Sequence, residues 1–262
     1  MPTVHHIPVC PFSQRLEILL ELKGCREAVE FRVVDITRPR DPVLLALTGG
    51  RTALPVLVAD DGTVLRESLV ILDYLDALLP GPRIAAADPL RRAVEALMVT
   101  MEGPFGAAGY RLVMNQDRTR RDALLADLLA QYAALDEHLA RFAIGQPWLQ
   151  QAFGWAEVVF TPLMVRFAFL DWFEGFVLPA EPRFERVRVW REACLAHPAA
   201  QQVSAEEVVK LYADYAQGAG NGALLPGRQR SSFVFTPPWR ERPWPPRDKH
   251  AGVPSDEALG LA

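Results

Sequence analysis

Strand signals occupy only the beginning of this 262-residue chain, and that asymmetry limits the folds open to it. Thr3-Val4-His5-His6-Ile7 is a short strand candidate. Leu16, Leu19 and Leu20 follow Pro11 at helical spacing, and Gly24 closes that helix. "VEFRVVDI" reads as a second strand and "DPVLLAL" as a short helix stopped by Gly49-Gly50. "PVLVAD" and "TVLRE" are two strands joined by Asp61-Gly62, a hairpin turn signal. "SLVILDYLDALL" is helical again. The order strand, helix, strand, helix, hairpin, helix predicts a compact α/β domain over residues 1–79.

After a proline-punctuated linker at 80–88 the strand signals stop, which predicts an all-α domain over 89–220. Leu90, Val94, Leu97 and Met101 start a long helix that "GPFGAAG" should bend or break. Leu125, Leu128, Tyr132, Leu135, Leu139 and Phe142 recur every three or four residues, an amphipathic helix. Further helical patterns cover Trp155–Phe173, Phe184–Cys194 and Ala205–Ala216. Residues 221–262 form a Pro- and Gly-rich extension, expected to be irregular and packed by its tryptophans. There is no internal repeat.

Half of the residues are hydrophobic, enough for a sizeable core, and the net charge of -4 argues against a nucleic-acid partner. Charges interrupt every leucine-rich run, so no membrane span is expected. The start, "MPTVHHIPVC", lacks a basic segment followed by an apolar one. Cys10, Cys25 and Cys194 are odd in number and far apart, which fits a reducing cytoplasm rather than a disulfide framework. Cys25 and Cys194 read as structural. His5 and His6 point to opposite faces of a strand without a Cys or Asp cluster, so no metal site is expected.

Three elements carry chemistry. Cys10 stands where the first helix begins, with Pro11 at the position proline favours. Unpaired N–H groups and the helix dipole there favour an anion, hence a thiolate nucleophile. Leu54-Pro55 opens a strand; with a cis proline, the Leu54 backbone would turn outward beside the cysteine and could pair with an extended peptide. Ser68 can cap the third helix and, with its backbone N–H, hold a carboxylate, while Glu67 can take an ammonium group.

Together these elements resemble the glutathione site of the glutathione transferase superfamily. The resemblance implies a thioredoxin-like N-terminal domain, an all-helical C-terminal domain, glutathione as co-substrate, a cytoplasmic homodimer and no metal. "CPFS" resembles the omega class, which uses cysteine where most transferases use serine or tyrosine. The likeness extends to the omega-like glutathione lyases of bacterial lignin β-aryl ether breakdown through "TGGRTALPVL", "ESLVILDYL", "GWAEVVFTP", "HPAAQ", "KLYADYAQGAGNG" and "WRERPWPPRDK", nearly the whole chain. It implies that Pro11, Phe12, Leu54, Pro55, Glu67 and Ser68 hold glutathione. Arg38 or Arg40, in the loop before the second helix, could bind its glycine carboxylate, and Arg40 is the candidate carried forward. One departure is Gly154-Trp155-Ala156-Glu157, where many transferases have Ser or Thr three residues before Asp. Glycine supplies no side-chain cap, although Glu157 suits the helix start.

With Ser13 in the place of a second cysteine, Cys10 cannot close its own disulfide. It can attack a sulfur bonded to glutathione, and an outside thiol must then release the mixed disulfide. The lone thiol therefore points to removal of glutathione rather than its attachment. In the lyases the substrate is a thioether beside an aryl ketone, an aromatic glutathione conjugate. Expelling carbon from sulfur needs a donor at the carbonyl oxygen. Tyr212 and Tyr215 are the catalytic candidates, with Tyr212 slightly favoured because it continues a stripe with Val208. Phe12, Phe105, Tyr110, Met114, Trp172 and Phe173 form the aromatic pool, of which about a third should face substrate. Two other functions fit the sequence: a general omega-type reductase of mixed disulfides or dehydroascorbate, and a non-catalytic binding protein on a transferase fold.

Overall fold

The computed structural model describes residues 1–262. Its only sheet has the order β2-β1-β3-β4: β1 (Thr3–His6) pairs in parallel with β2 (Glu30–Val33), and antiparallel with β3 (Val56–Val58), which pairs with β4 (Val64–Leu65). Register sets Val4 between Phe31 and Leu57. Helices α1 (Pro11–Lys23) and α3 (Ser68–Leu78) pack together, burying Leu16, Leu19, Leu20, Ile71, Leu72 and Leu75, while α2 (Pro42–Leu47), between β2 and β3 in the chain, buries only Leu44. Gly24 closes α1 in the left-handed conformation. This is the thioredoxin-like arrangement, and everything beyond is helical or irregular.

The second half consists of α4 (Pro89–Val99), α5 (Glu102–Met114), α6 (Arg121–Phe142), α7 (Trp155–Arg166), α8 (Ala168–Phe173), α9 (Glu185–Ala196), α10 (Ala205–Leu211) and α11 (Ala213–Ala216). The break between α4 and α5 falls at Thr100–Met101 rather than in "GPFGAAG", which lies inside α5. Pro104 is tolerated because it sits in the first turn, where its missing N–H has no helical partner to lose. Gly109 is there for packing: a Cβ would stand 2.2 Å from the ring of Phe167. The long patterns at 155–173 and 205–216 each divide, at Phe167 and at Tyr212.

Helix α7 is the central pillar, buried along almost its whole length against α1, α4 and α9. Glu157 does half the work of a capping box, accepting from the N–H of Gly154 at 3.0 Å. Its other oxygen accepts from Leu149 N–H and Trp190 Nε1, both at 2.9 Å. The missing serine or threonine is thus offset by a carboxylate that ties three segments together.

The extension is irregular as expected, but buried cations pin it more than its tryptophans do. Arg228 pairs with Asp214 at 3.0 Å and with Asp256. Lys249 pairs with Glu174 at 2.5 Å and donates to the Leu112 and Val113 carbonyls at the end of α5. Arg242 donates to the Ser232 and Pro237 carbonyls. Of the tryptophans, Trp244 stacks on Trp172 at 4.5 Å and remains 45% exposed. Gly222, at φ +77°, then lays the chain against Ile36 and Thr37 of the first domain.

Candidate active site

Cys10 caps α1 in extended conformation (φ -73°, ψ 128°), and its side chain makes no capping bond. Its thiol is therefore free for chemistry at a helix N-terminus. Ser13 is fully buried. Two neighbouring cavities share Phe12 and Glu102, and Cys10 lines one of them. One, of about 340 Å³, is walled by Leu54, Pro55, Glu67 and Ser68 together with Arg51 and Arg66. The other, of about 450 Å³, opens at Cys10 and Pro11 and is walled mainly by Tyr110, Met114, Tyr212, Tyr215 and Phe233.

In the first cavity the Leu54-Pro55 peptide is cis, and the Leu54 N–H and carbonyl have no backbone partner, so an extended ligand could pair with them. Glu67, not Ser68, occupies the cap of α3, and does so at φ +65°, a left-handed conformation costly for a residue with a Cβ. Ser68 is the first helical residue, and its hydroxyl accepts from Arg15 Nη1 at 2.9 Å instead of capping the helix. Its hydroxyl proton and the first N–H groups of α3 remain available as donors at the wall of this cavity. Arg40 lies outside both cavity walls: its Nη2 donates to the Thr52 carbonyl at 3.0 Å and braces the loop that leads to Leu54. Arg51 and Arg66, unremarked in the sequence, line the cavity where Arg40 was expected.

Arg15 is the other residue that sequence reading missed. It is 1% exposed and joins four elements: Nη2 to Glu102 of α5 at 2.5 Å, Nη1 to Ser68, Nε to the Val159 carbonyl of α7 at 3.2 Å, and the guanidinium over the Phe12 ring at 5.0 Å. Its position on α1, one turn from Cys10, was the only available hint.

In the second cavity, half of the aromatic pool is present: Phe12, Tyr110 and Met114. Phe105 and Phe173 are core, and Trp172 lies under the tail. Tyr212 sits at the α10–α11 break and donates to the Val9 carbonyl at 3.1 Å, an acceptor shared with Arg166 Nε at 2.6 Å. Tyr215 donates to Asn221 Oδ1 at 3.1 Å and accepts from the Asn221 N–H at 3.0 Å. Burial pushes both phenols up, Tyr212 the further, so both stay protonated near neutrality. Burial likewise raises the Cys194 thiol, consistent with a packing role.

The glutathione S-transferase N-terminal domain model matches residues 4–83. A maleylacetoacetate isomerase of Pseudomonas aeruginosa is 31% identical over 218 residues, 72% of this chain and 89% of that protein. A probable glutathione S-transferase of Solanum tuberosum is 27% identical over 207 residues, 79% of this chain and 92% of that one. Glutathione S-transferase omega-1 of Sus scrofa is 24% identical over 138 residues, 53% of this chain and only 56% of its own length. Among solved structures, glutathione transferase Omega 3C from Trametes versicolor superposes with a TM-score of 0.66 at 20% identity, covering 77% of this chain and 87% of that one. A glutathione transferase family member from Pseudomonas fluorescens Pf-5, solved with bound glutathione, gives 0.59 at 20% identity, covering 78% and 98%. The chain belongs to the glutathione transferase superfamily, with omega-class proteins among its relatives.

Proposed function

We propose that this protein is a cytoplasmic, omega-like glutathione lyase that removes glutathione from α-glutathionyl aryl ketones of the kind produced in lignin β-ether breakdown. The observation that carries the reading is one unpaired cysteine at a helix N-terminus, lining an aromatic cavity that shares Phe12 and Glu102 with a neighbouring peptide-sized polar cavity. In the polar cavity Leu54 would pair with the glutathione backbone, Ser68 and the α3 N-terminus would take the γ-glutamyl carboxylate, and Glu67 its ammonium. Pro11 and Phe12 would shape the passage to the aryl group, and Arg40 would support the cavity's loop.

The thiolate of Cys10 attacks the glutathione sulfur. An S–S bond forms, the C–S bond breaks, and its electron pair passes into the adjacent carbonyl as an enolate, which is protonated to the ketone. A second glutathione attacks the mixed disulfide and leaves as oxidised glutathione, returning Cys10 as thiolate. Incubating the protein with a glutathionyl aryl ketone and no free thiol should leave glutathione bound covalently to Cys10, detected by mass, and added glutathione should release it as the oxidised dimer. An unmodified Cys10 with intact substrate would refute the proposal.

A general omega-type reductase is the second reading. It gains from the hydrogen bonds that occupy Tyr212 and Tyr215, since reduction of a disulfide needs Cys10 but no enolate donor. A homodimer is part of the proposal and draws support from apolar side chains exposed on α3 and α4: Val70 and Leu78, Leu90 and Leu97.

Glu67→Ala or Ser68→Ala should weaken glutathione binding by about 1.5–3 kcal/mol, the worth of one charged hydrogen bond. The rate of the step within the bound complex should change less, because these groups hold the end of the tripeptide away from the sulfur. Calorimetric titration together with single-turnover rates checks this; unchanged affinity in both variants would displace the site.

A further inference from the structure

The three phenols on the aromatic cavity wall are not equivalent. Tyr212 gives its proton to the Val9 carbonyl, and Tyr215 gives its own to Asn221. Tyr110, half-buried on α5, donates to no carbonyl or carboxylate; its polar neighbour is the phenol of Tyr212. Its ring lines the cavity and is held by the edge of Phe169 at 5.2 Å and by Tyr215 at 5.9 Å, which fix its plane.

Arg166 lies behind this cluster. It is fully buried and bonds the Val9 carbonyl at 2.6 Å and Gln14 Oε1 at 2.7 Å, leaving Nη2 without a partner. No carboxylate lies within ion-pair distance of it. Glu17 and Glu207 feel this cation from beyond ion-pair distance, and its field also favours negative charge on both Tyr110 and Tyr212. Burial outweighs that field and pushes Tyr110 well above its ordinary range, so the group enters the reaction as a phenol with a proton to offer.

We propose that Tyr110 donates the hydrogen bond that holds the enolate oxygen when carbon leaves the glutathione sulfur, with Tyr212 and Tyr215 acting as its support. The proposal rests on the lyase reading above. In the step, the Cys10–S bond forms as the C–S bond breaks, and the electron pair moves onto the carbonyl oxygen. Tyr110 bonds that oxygen without giving up its proton; solvent supplies the proton that ends on carbon. Cys10 ends as it began, so the two electrons that reduce the carbon come from the substrate's glutathionyl sulfur and the free glutathione, which leave together as oxidised glutathione. Disulfide substrates expel sulfur instead of carbon and do not load the donor.

The test compares Tyr110→Phe, Tyr212→Phe and Tyr215→Phe on a glutathionyl aryl ketone and on a small glutathione mixed disulfide. Removing one oxyanion donor costs about 100-fold or more in turnover. Tyr110→Phe should therefore lower kcat for thioether cleavage by about that factor with little change in KM, and the ratio of cleavage to disulfide reduction should fall equally. A substrate with an electron-withdrawing aryl ring, whose enolate needs less help, should lose less. Cleavage near the wild-type rate in Tyr110→Phe, or a parallel loss of both activities, would overturn the assignment while leaving the lyase reading intact. A specific loss in Tyr212→Phe alone would transfer the role to that residue. Wild-type protein that reduces disulfides and cleaves no thioether would overturn both proposals.

Discussion

Cys10→Ser should abolish release of oxidised glutathione from a glutathionyl aryl ketone, leaving only the uncatalysed background. A hydroxyl at this position is a poor attacker of sulfur, and no other thiol can replace it: Cys194 is fully buried, and Cys25 follows the far end of α1. The substitution is structurally mild. Cys10 is the cap residue of α1 and makes no capping bond, whereas serine is among the favoured caps, so thermal stability should hold or rise by up to about 1 kcal/mol. The measurements are turnover, the mass of the glutathione adduct, and the melting temperature. A folded Cys10→Ser protein that turns over at a rate near wild type would end the nucleophile assignment.

Arg15→Met should produce the largest loss of stability. The substitution removes the ion pair with Glu102 and the bonds to Ser68 and Val159, and leaves the Glu102 side chain, 14% exposed, without its partner. Breaking a buried pair from one side costs about 3–5 kcal/mol. In a chain of this size that corresponds to a fall in melting temperature of roughly 10 °C. Because Ser68 also loses the donor that orients its hydroxyl, glutathione affinity should fall together with stability. Glu102→Gln keeps a hydrogen-bond acceptor for the guanidinium and should cost less, and combining the two substitutions should cost less than their sum. Melting of Arg15→Met within about 2 °C of wild type would show that the pair contributes no net stability.

Much of the fold is legible in the sequence because its signals are local. The alternation of apolar residues in "TVHHI" and the glycine after Lys23 act over a few residues, and the disappearance of strand patterning after the linker announces the helical half. The corrections concern balances that local pattern cannot weigh. Proline and glycine in "GPFGAAG" suggest a broken helix, yet the first turn tolerates Pro104 and the approach of Phe167 requires Gly109. The aromatic pool could be named but not sorted, because Phe105 and Tyr110 lie on the same helix and only its packing partners decide which one meets the cavity.

The sequence by itself determined the α/β-then-α order, the placing of a lone cysteine at a helix start, and the Leu54-Pro55 and Glu67-Ser68 pairs that line one cavity. Tertiary structure alone decided the electrostatics around that cysteine. Arg15 and Arg166 look like ordinary charges on helix faces, yet both are buried, held by carbonyls 144 and 157 residues away in the chain. The same holds for the tyrosines: sequence names a phenol, but only its distant acceptor, Val9 for Tyr212 at a separation of 203 residues, shows where its proton goes. A buried charge or hydroxyl is stable only with its partners in place, and those partners are brought to it by the packing of the whole chain.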